Sequence, residues 1–292
     1  MPVITVVIAT RNRANALRQT LEHLVPENIE IIVVDNGSAD GTLAVARAFP
    51  GVRAIALRRN AGAVARNVGV RAARTPYVAF ADDDSWWAPG ALALAGRLFD
   101  RYPRLALLAA RTLVGPEGRT DPVSRFMASA PLGRADDLPG PSVLGFLACS
   151  AVVRREAFLR CGGFDPVVFF MGEEGRLAYD LAATGWGLAY CPDVVAHHRP
   201  EPAADPAAKQ LLAARNAALT GWMRRPVPVA TALTRALLRA AAGHPDGART
   251  VAQFAARLPR ALVRRRTPDS AVEAGHAVLA RAESGAVVHV TD

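Results

Sequence analysis

Three consecutive carboxylates, Asp82-Asp83-Asp84, follow the apolar run at 77–81 and precede Ser85-Trp86-Trp87-Ala88-Pro89. Adjacent acids repel one another, so such a cluster is costly unless a cation or ligand compensates it. Grouped oxygen donors of this kind suit Mg2+ or Mn2+. A cation held there neutralises charge developing on a departing diphosphate without moving a proton. The alternative is a solvated loop that caps the following helix. A second acidic pair, Glu173-Glu174, has the chemistry of a general base for an attacking hydroxyl, although two acids at a helix N-terminus also favour the helix dipole. His197-His198, after Val194-Val195-Ala196, offers imidazole nitrogens that can ligate a metal or simply meet solvent.

Elements that position these groups are legible in the apolar pattern. Short apolar runs at 3–9, 29–34, 52–57 and 77–81 alternate with amphipathic stretches at 14–24, 42–49 and 63–73. Near-continuous apolar strands joined by helices predict a parallel sheet covered on both faces. Ligands of such sheets bind at the carboxyl ends of the strands. There the chain places Thr10-Arg11-Asn12-Arg13, Asp35-Asn36-Gly37-Ser38 and the three aspartates, all facing one crevice. From 104 to 138 the pattern breaks, with Pro116, Pro122 and Pro131 among the punctuation, and predicts a variable loop region over the site. Regularity returns at 143–154, followed by a helical stretch from Arg155, a turn at Gly162-Gly163-Phe164-Asp165-Pro166, a helix at 174–184 and a strand near 187–190.

After Pro206 the composition shifts to Ala, Arg and Leu, and helices are predicted at 207–223, 228–242 and 249–264. In the last of these Val251, Phe254, Ala255, Leu258, Ala261 and Leu262 fall on one face, with Gln253, Arg257, Arg260 and Arg264 on the other. Residues 207–268 hold twelve basic side chains against the single acid Asp246, which concentrates much of the net charge of +9 in this part. These basic helices allow peripheral contact with anionic lipid at the inner face of the plasma membrane, or equally packing onto the rest of the chain.

Composition excludes several chemistries. Lys209 is the only lysine among 35 basic residues, which removes a P-loop and a pyridoxal Schiff base. The turn after the first strand lacks GxGxxG, so a dinucleotide's pyrophosphate has no glycine cradle. Three cysteines without paired spacing argue against a disulfide framework or a CxxC zinc site, and a cytoplasmic setting follows. No apolar run reaches the roughly 18 residues of a spanning helix. Aromatic and basic strips for stacking bases are missing, so nucleic acid is not an expected partner.

The segments VVIATRNR, VVDNGSADGT, NAGAVARNVGV, AFADDDSWWAP and GGFDP…GEE occur in an order that resembles the family 2 glycosyltransferases. The likeness covers roughly residues 1–200; Arg215-Asn216 followed by Arg224-Arg225-Pro226 is also similar to members that transfer rhamnose or related sugars. It implies an α/β GT-A fold with a Rossmann-like, mostly parallel sheet: a catalytic domain at 1–205 and an Arg/Ala-rich helical extension at 206–292. By the same resemblance, Thr10, Arg11 and Arg13 line the nucleotide pocket. Asp35 accepts a hydrogen bond from the base, Arg66 contacts base or phosphate, and Asp82 and Asp83 lie near the ribose. Asp84, with Asp82 and a histidine expected at His197 or its neighbour His198, holds the metal, and Gly145 to Ser150 run beside the donor sugar. Trp86, Trp87 and Trp186 are aromatic surfaces for sugar faces or for the core. Glu174, with Glu173, is the expected base, although relatives often carry Glu-Asp followed by a further acid where this chain has Glu174 and Arg176.

The implied reaction is inverting, metal-dependent transfer of a sugar from a UDP, dTDP or GDP donor to a hydroxyl acceptor. The alternatives are a non-catalytic nucleotide-sugar-binding protein and a sugar-nucleotidyltransferase, the second disfavoured because its glycine-rich loop is missing.

Overall fold

The β-branched run ITVVIAT forms β1 (Ile4–Thr10), almost wholly buried, as a strand in the middle of a parallel sheet must be. The computed structural model describes residues 3–201 and 205–288, with side chains described to residue 284. From β1 the chain continues through α1 (Ala14–Leu24), β2 (Glu30–Asp35), α2 (Thr42–Ala48), β3 (Val52–Ala56), α3 (Val64–Ala72) and β4 (Tyr77–Ala81). β1 pairs in parallel with β2 and β4, and β2 with β3. Gly69 of α3 sits so close to β1 that a Cβ there would meet a Val7 methyl at 2.3 Å, which sets how tightly this helix covers the sheet.

Next come β5 (Ser85–Trp87), α4 (Ala91–Arg101), β6 (Leu105–Val114), β7 (Arg119–Thr120), α5 (Pro122–Ala128), β8 (Ala151–Arg154), α6 (Arg155–Arg160), α7 (Glu173–Ala183) and β9 (Gly187–His198). Among the described residues the strands make one sheet in the order β3-β2-β1-β4-β8-β6-β9-β5, with β7 on β6. β8 runs antiparallel between β4 and β6, and β6 pairs in parallel with β9. One apolar core lies under α1, α2 and α4 and a second under α3, α6 and α7.

Three expectations need correction. The stretch 104–138 is not all loop, because its first part is β6, ten residues long and inside the sheet. Its run LALLAARTLV has no alternation and is rich in Ala and Leu, so only its flanking partners β8 and β9 make it a strand. Regular structure at 143–154 shrinks to β8, and the strand near 187–190 extends to His198.

α8 (Pro206–Arg224), α9 (Val227–Ala242) and α10 (Gly247–Val263) match the predicted helices closely, while α11 (Ser270–Val288) has no counterpart among them. α8 and α10 share a third core with Val167 and Val168, from the segment before α7. The polar side of α10 does not all face water: Arg257 donates to the Val167 carbonyl at 3.0 Å and Arg264 pairs with Asp165 at 2.9 Å, whereas Leu262 is 45% exposed. Among the described residues no helix is long and apolar enough to cross a membrane.

A buried charge triad joins α7 to α8. Asp180 accepts from Arg176 at 2.6 Å and from Arg224 at 3.0 Å, with all three side chains nearly inaccessible. Arg176 also donates to the carbonyl of Gly163. The residue that departs from the family's acidic pattern is therefore a structural tie. Removing the shared carboxylate strands two buried guanidiniums, and the loss of one partner from a buried ionic group costs about 3–5 kcal/mol. Asp180→Ala is expected to lower unfolding free energy by that amount in urea titration; a change below about 1 kcal/mol would contradict the triad's role.

Candidate active site

The carboxyl ends of β1, β2 and β4 open into a crevice of about 710 Å³. Thr10, Arg11, Arg13, Arg66 and all three adjacent aspartates line it, as the strand-end reasoning anticipates. Asp35, Glu173, Glu174 and His197 do not line it, whereas His198, Lys209 and the Phe169–Met171 backbone segment do.

The aspartates are compensated mainly by arginines. Arg13 reaches Asp83 at 3.2 Å and Asp84 at 3.4 Å, and also pairs with Glu201. Arg66, buried on α3, pairs with Asp82 on one side and with Glu173 at 3.3 Å on the other. Burial works against the Arg66 cation, but Asp82 and Glu173 more than offset it and hold its pKa above the ordinary value. The repulsion expected among the three acids is thus met inside the chain. Asp83 remains the least comfortable of them. Thr10 donates to it at 2.7 Å, yet burial, with Asp82 and Asp84 adding, pushes its pKa up to about 6.

β9 decides which histidine meets the carboxylates. Successive side chains on a strand point to opposite faces. β5 follows Asp84 directly and pairs antiparallel with β9, setting Ser85 opposite His198. His198 Nε2 lies 3.3 Å from Asp84 Oδ1. Burial opposes its protonated form, but the Asp84 contact wins and raises its pKa. His197 instead stacks on Trp86 at 5.5 Å, with His23 stacked on the same indole at 4.1 Å. The expected ligand position at His197 is therefore not at the acidic cluster, and the neighbouring histidine is. Trp87, one of the three tryptophans considered for sugar stacking, is a core residue whose Nε1 donates to the Phe80 carbonyl at 3.2 Å.

The donor atoms fit a divalent cation. Asp82, His198 and Cys149 each bring a ligand atom within 4.8 Å of the others. Burial holds the Cys149 thiol well above its ordinary pKa, so the effective donors are oxygen and imidazole nitrogen, a set that suits Mn2+ or Mg2+.

Asp35 ends β2, buried, with Oδ1 unpaired among the described residues and Oδ2 accepting weakly from the Ser38 amide at 3.4 Å. Beside it Asn36 accepts from the Ala61 amide at 2.7 Å and donates to the Gly62 carbonyl at 3.1 Å, tying down the loop after β3. A buried acceptor left open beside a crevice is suited to a ligand donor.

Glu173 and Glu174 start α7. Glu173 is locked to Arg66 with its second oxygen unpaired, while Glu174 is half-buried. Burial first and the charge of Glu173 second push the Glu174 pKa up to about 8. The segment leading to them is held by residues that motif reading did not assign to the site. Phe169 and Met171 have φ of 71° and 70°, a strained left-handed backbone for side chains of this size. Asn216 Nδ2 donates to the Phe170 and Met171 carbonyls, Ala63 donates to the Phe169 carbonyl at 2.6 Å, and Arg257 covers the Phe169 ring at 5.6 Å. Gly62 is obligatory here: with φ of 60°, a Cβ would lie 2.3 Å from the Phe169 carbonyl oxygen. Its signal was available in the NAGAVARNVGV segment, and that of Asn216 in its pairing with Arg215; Lys209 and Glu201 had none.

Comparison with known proteins gives a consistent picture. The family described as glycosyl transferase family 2 matches residues 5–162. A pre-mycofactocin glycosyltransferase of Mycobacterium tuberculosis is 34% identical over 204 residues, covering 67% of this chain and 42% of that protein. An N-acetylglucosaminyl-diphospho-decaprenol L-rhamnosyltransferase of the same organism is 27% identical over 269 residues, covering 78% and 87%. Among solved structures, a mannosyltransferase from Pyrobaculum calidifontis in complex with GDP-Man and Mn2+ superposes with a TM-score of 0.60 at 22% identity, covering 96% of this chain and 80% of that one. Staphylococcus aureus TarS in complex with UDP-GlcNAc does so with a TM-score of 0.58 at 15% identity, covering 90% of each. At these identities the structural likeness establishes the GT-A fold.

The raised pKa of Asp83 has a measurable consequence. An acid whose folded pKa exceeds its ordinary value of about 3.9 favours folding below that value and loses the benefit as pH rises through the folded pKa, here about 6. The loss is about 3 kcal/mol at most. In EDTA, Asp83→Asn is expected to melt above wild type at pH 7.5, with the gap closing as pH falls below about 3.9. A variant melting below wild type at pH 7.5 would contradict this assignment.

Proposed function

Because this chain belongs to glycosyl transferase family 2, we propose that it is a glycosyltransferase that moves a sugar from a nucleoside diphosphate sugar to a hydroxyl acceptor, with inversion and dependence on a divalent metal. The observation that carries this reading is the gathering of Asp82, Asp83 and Asp84 with Arg13, Arg66 and His198 around one strand-end crevice. The nucleotide sugars bound by the mannosyltransferase and by TarS, and the Mn2+ of the former, support the same donor class and metal. The catalytic domain is assigned to 1–205, and the three buried, unpaired thiols accord with a cytoplasmic setting.

In this reading the open Asp35 Oδ1 accepts from the N3–H of a uracil or thymine ring. Arg11 and Lys209 place positive charge on the crevice wall for the diphosphate. Asp82, Asp84 and His198 would hold the cation, which when bound offsets charge developing on the departing diphosphate. Arg13 fixes Asp83 and Asp84, and Arg66 fixes Asp82 and, through Glu173, the start of α7. Glu174 takes the acceptor hydroxyl's proton as its oxygen bonds to the anomeric carbon and the bond from that carbon to the diphosphate breaks. The decaprenol-linked substrate in the rhamnosyltransferase's name supports a lipid-linked acceptor.

Thermal melts with UDP, dTDP, GDP and CMP, each with Mn2+ or EDTA, test the donor. One nucleoside diphosphate is expected to raise the midpoint only with Mn2+, and Asp84→Ala to abolish the rise. Stabilisation by none of the four contradicts the reading.

For the base, kcat/KM is expected to climb with pH to an inflection near 8, because Glu174 must be ionised to act. Glu174→Gln is expected to lower kcat at least about 100-fold while leaving the donor-dependent rise in midpoint intact. Undiminished turnover in this variant removes Glu174 from the role; donor binding by wild type without hydrolysis or transfer favours a binding protein instead.

A further inference from the structure

A second cavity, about 310 Å³ in volume, opens where the 161–165 turn, α7 and the end of α10 meet, and it shares no lining residue with the crevice. Arg176, Arg224, Arg264, Arg265 and Arg266 all line it. Two carboxylates oppose them: Asp165, in the lining and paired with Arg264, and Asp180, shared by Arg176 and Arg224. Three guanidinium charges are left in excess around one small space.

Their hydrogen bonds are also incomplete. Arg176 is 3% exposed, and its Nε–H has no acceptor among the described residues. A buried donor on a charged group without an acceptor carries its full desolvation penalty, which an anion brought close to that guanidinium offsets. Arg266 donates its backbone amide to the Met223 carbonyl, but its guanidinium forms no hydrogen bond or ion pair with the described residues. Planar guanidinium forks match phosphate oxygens two at a time, and an excess of several positive charges suits an anion of charge near two better than a single carboxylate.

We propose that this cavity binds a phosphate group, carried as a phosphomonoester or as a diphosphate. Val263, 88% exposed, lines the same cavity, and Leu262 stands exposed next to it, so the phosphate can arrive free or on an apolar body such as a lipid. Occupancy places an anion on α7 three residues after Glu173, which links the C-terminal helices to the glutamates of the crevice.

Calorimetric titration of the full chain with inorganic pyrophosphate, in EDTA so that the crevice lacks the cation on which its own diphosphate binding is proposed to depend, tests the free-phosphate source. Co-sedimentation with phosphatidylcholine vesicles, with and without phosphatidic acid, tests the lipid source. Saturable binding of pyrophosphate, of phosphatidic acid vesicles or of both is expected, weakened at least tenfold by Arg266→Glu and to a lesser degree by Arg266→Gln. Both variants are expected to keep the wild-type melting midpoint, since Arg266 contributes no side-chain bond to the fold. Binding of pyrophosphate alone identifies a free phosphate, and binding of phosphatidic acid vesicles alone identifies a lipid headgroup. Failure of both probes, or equal binding by Arg266→Glu, overturns the proposal.

Discussion

Three carboxylates in succession at the end of β4 set the electrostatic problem around which this molecule is arranged. Charges of like sign so close together destabilise one another unless cations lie within a few ångströms, and burial sharpens the requirement. Arg66 answers it from α3, buried between Asp82 and Glu173, and Arg13 answers it from the turn after β1. Each bond ties together elements far apart in the chain. The strand-end loop, α3 and the start of α7 are held to one another by charge compensation, and the crevice takes its shape from that.

The helices after residue 205 belong to the same construction. Asn216 on α8, Arg257 on α10 and Arg264 just after it hold the segment from Asp165 to Met171, which runs directly into Glu173 and Glu174. That segment contains two non-glycine residues in left-handed backbone, a conformation that persists only where the surroundings over-determine it. Here the over-determination is explicit, with carbonyls of residues 167–171 accepting from Ala63 at the head of α3, from α8 or from α10. Four arginines of this region, Arg224, Arg257, Arg264 and Arg265, bind backbone carbonyls, Asp165 or Asp180, which qualifies a reading of its charge as a surface property.

How much of this could be read beforehand varies by element. Strands β1 to β4 and helices α1 to α3 lie within a few residues of expectation, because the strand runs are short and apolar, the helices amphipathic, and polar turns bound them. β6 was missed because a continuous Ala- and Leu-rich run carries no period that separates strand from helix, and only β8 and β9 on either side resolve it. α11 was missed for a related reason, since its apolar side becomes distinct only where Val272 is buried and His276 stacks on Tyr179 of α7.

The site divides in the same way. Residue types and their positions at strand ends determined by themselves that Thr10, Arg11, Arg13 and Asp82 to Asp84 share a crevice, because in a parallel sheet every strand's carboxyl end lies on the same edge. What they could not determine was pairing across the chain. Whether His197 or His198 meets Asp84 depends on the antiparallel register of β5 on β9, and one residue of slip would exchange them. Whether Arg66 serves a ligand or the aspartates, and whether Arg176 is a lost acid or a structural tie, depends on partners up to 107 residues away and, for Arg176, on an Asp180 that Arg224 shares from 44 residues further on. Local sequence carries the propensity of each element and the chemistry of each side chain; long-range contacts are properties of the packed chain, and only tertiary structure decides them.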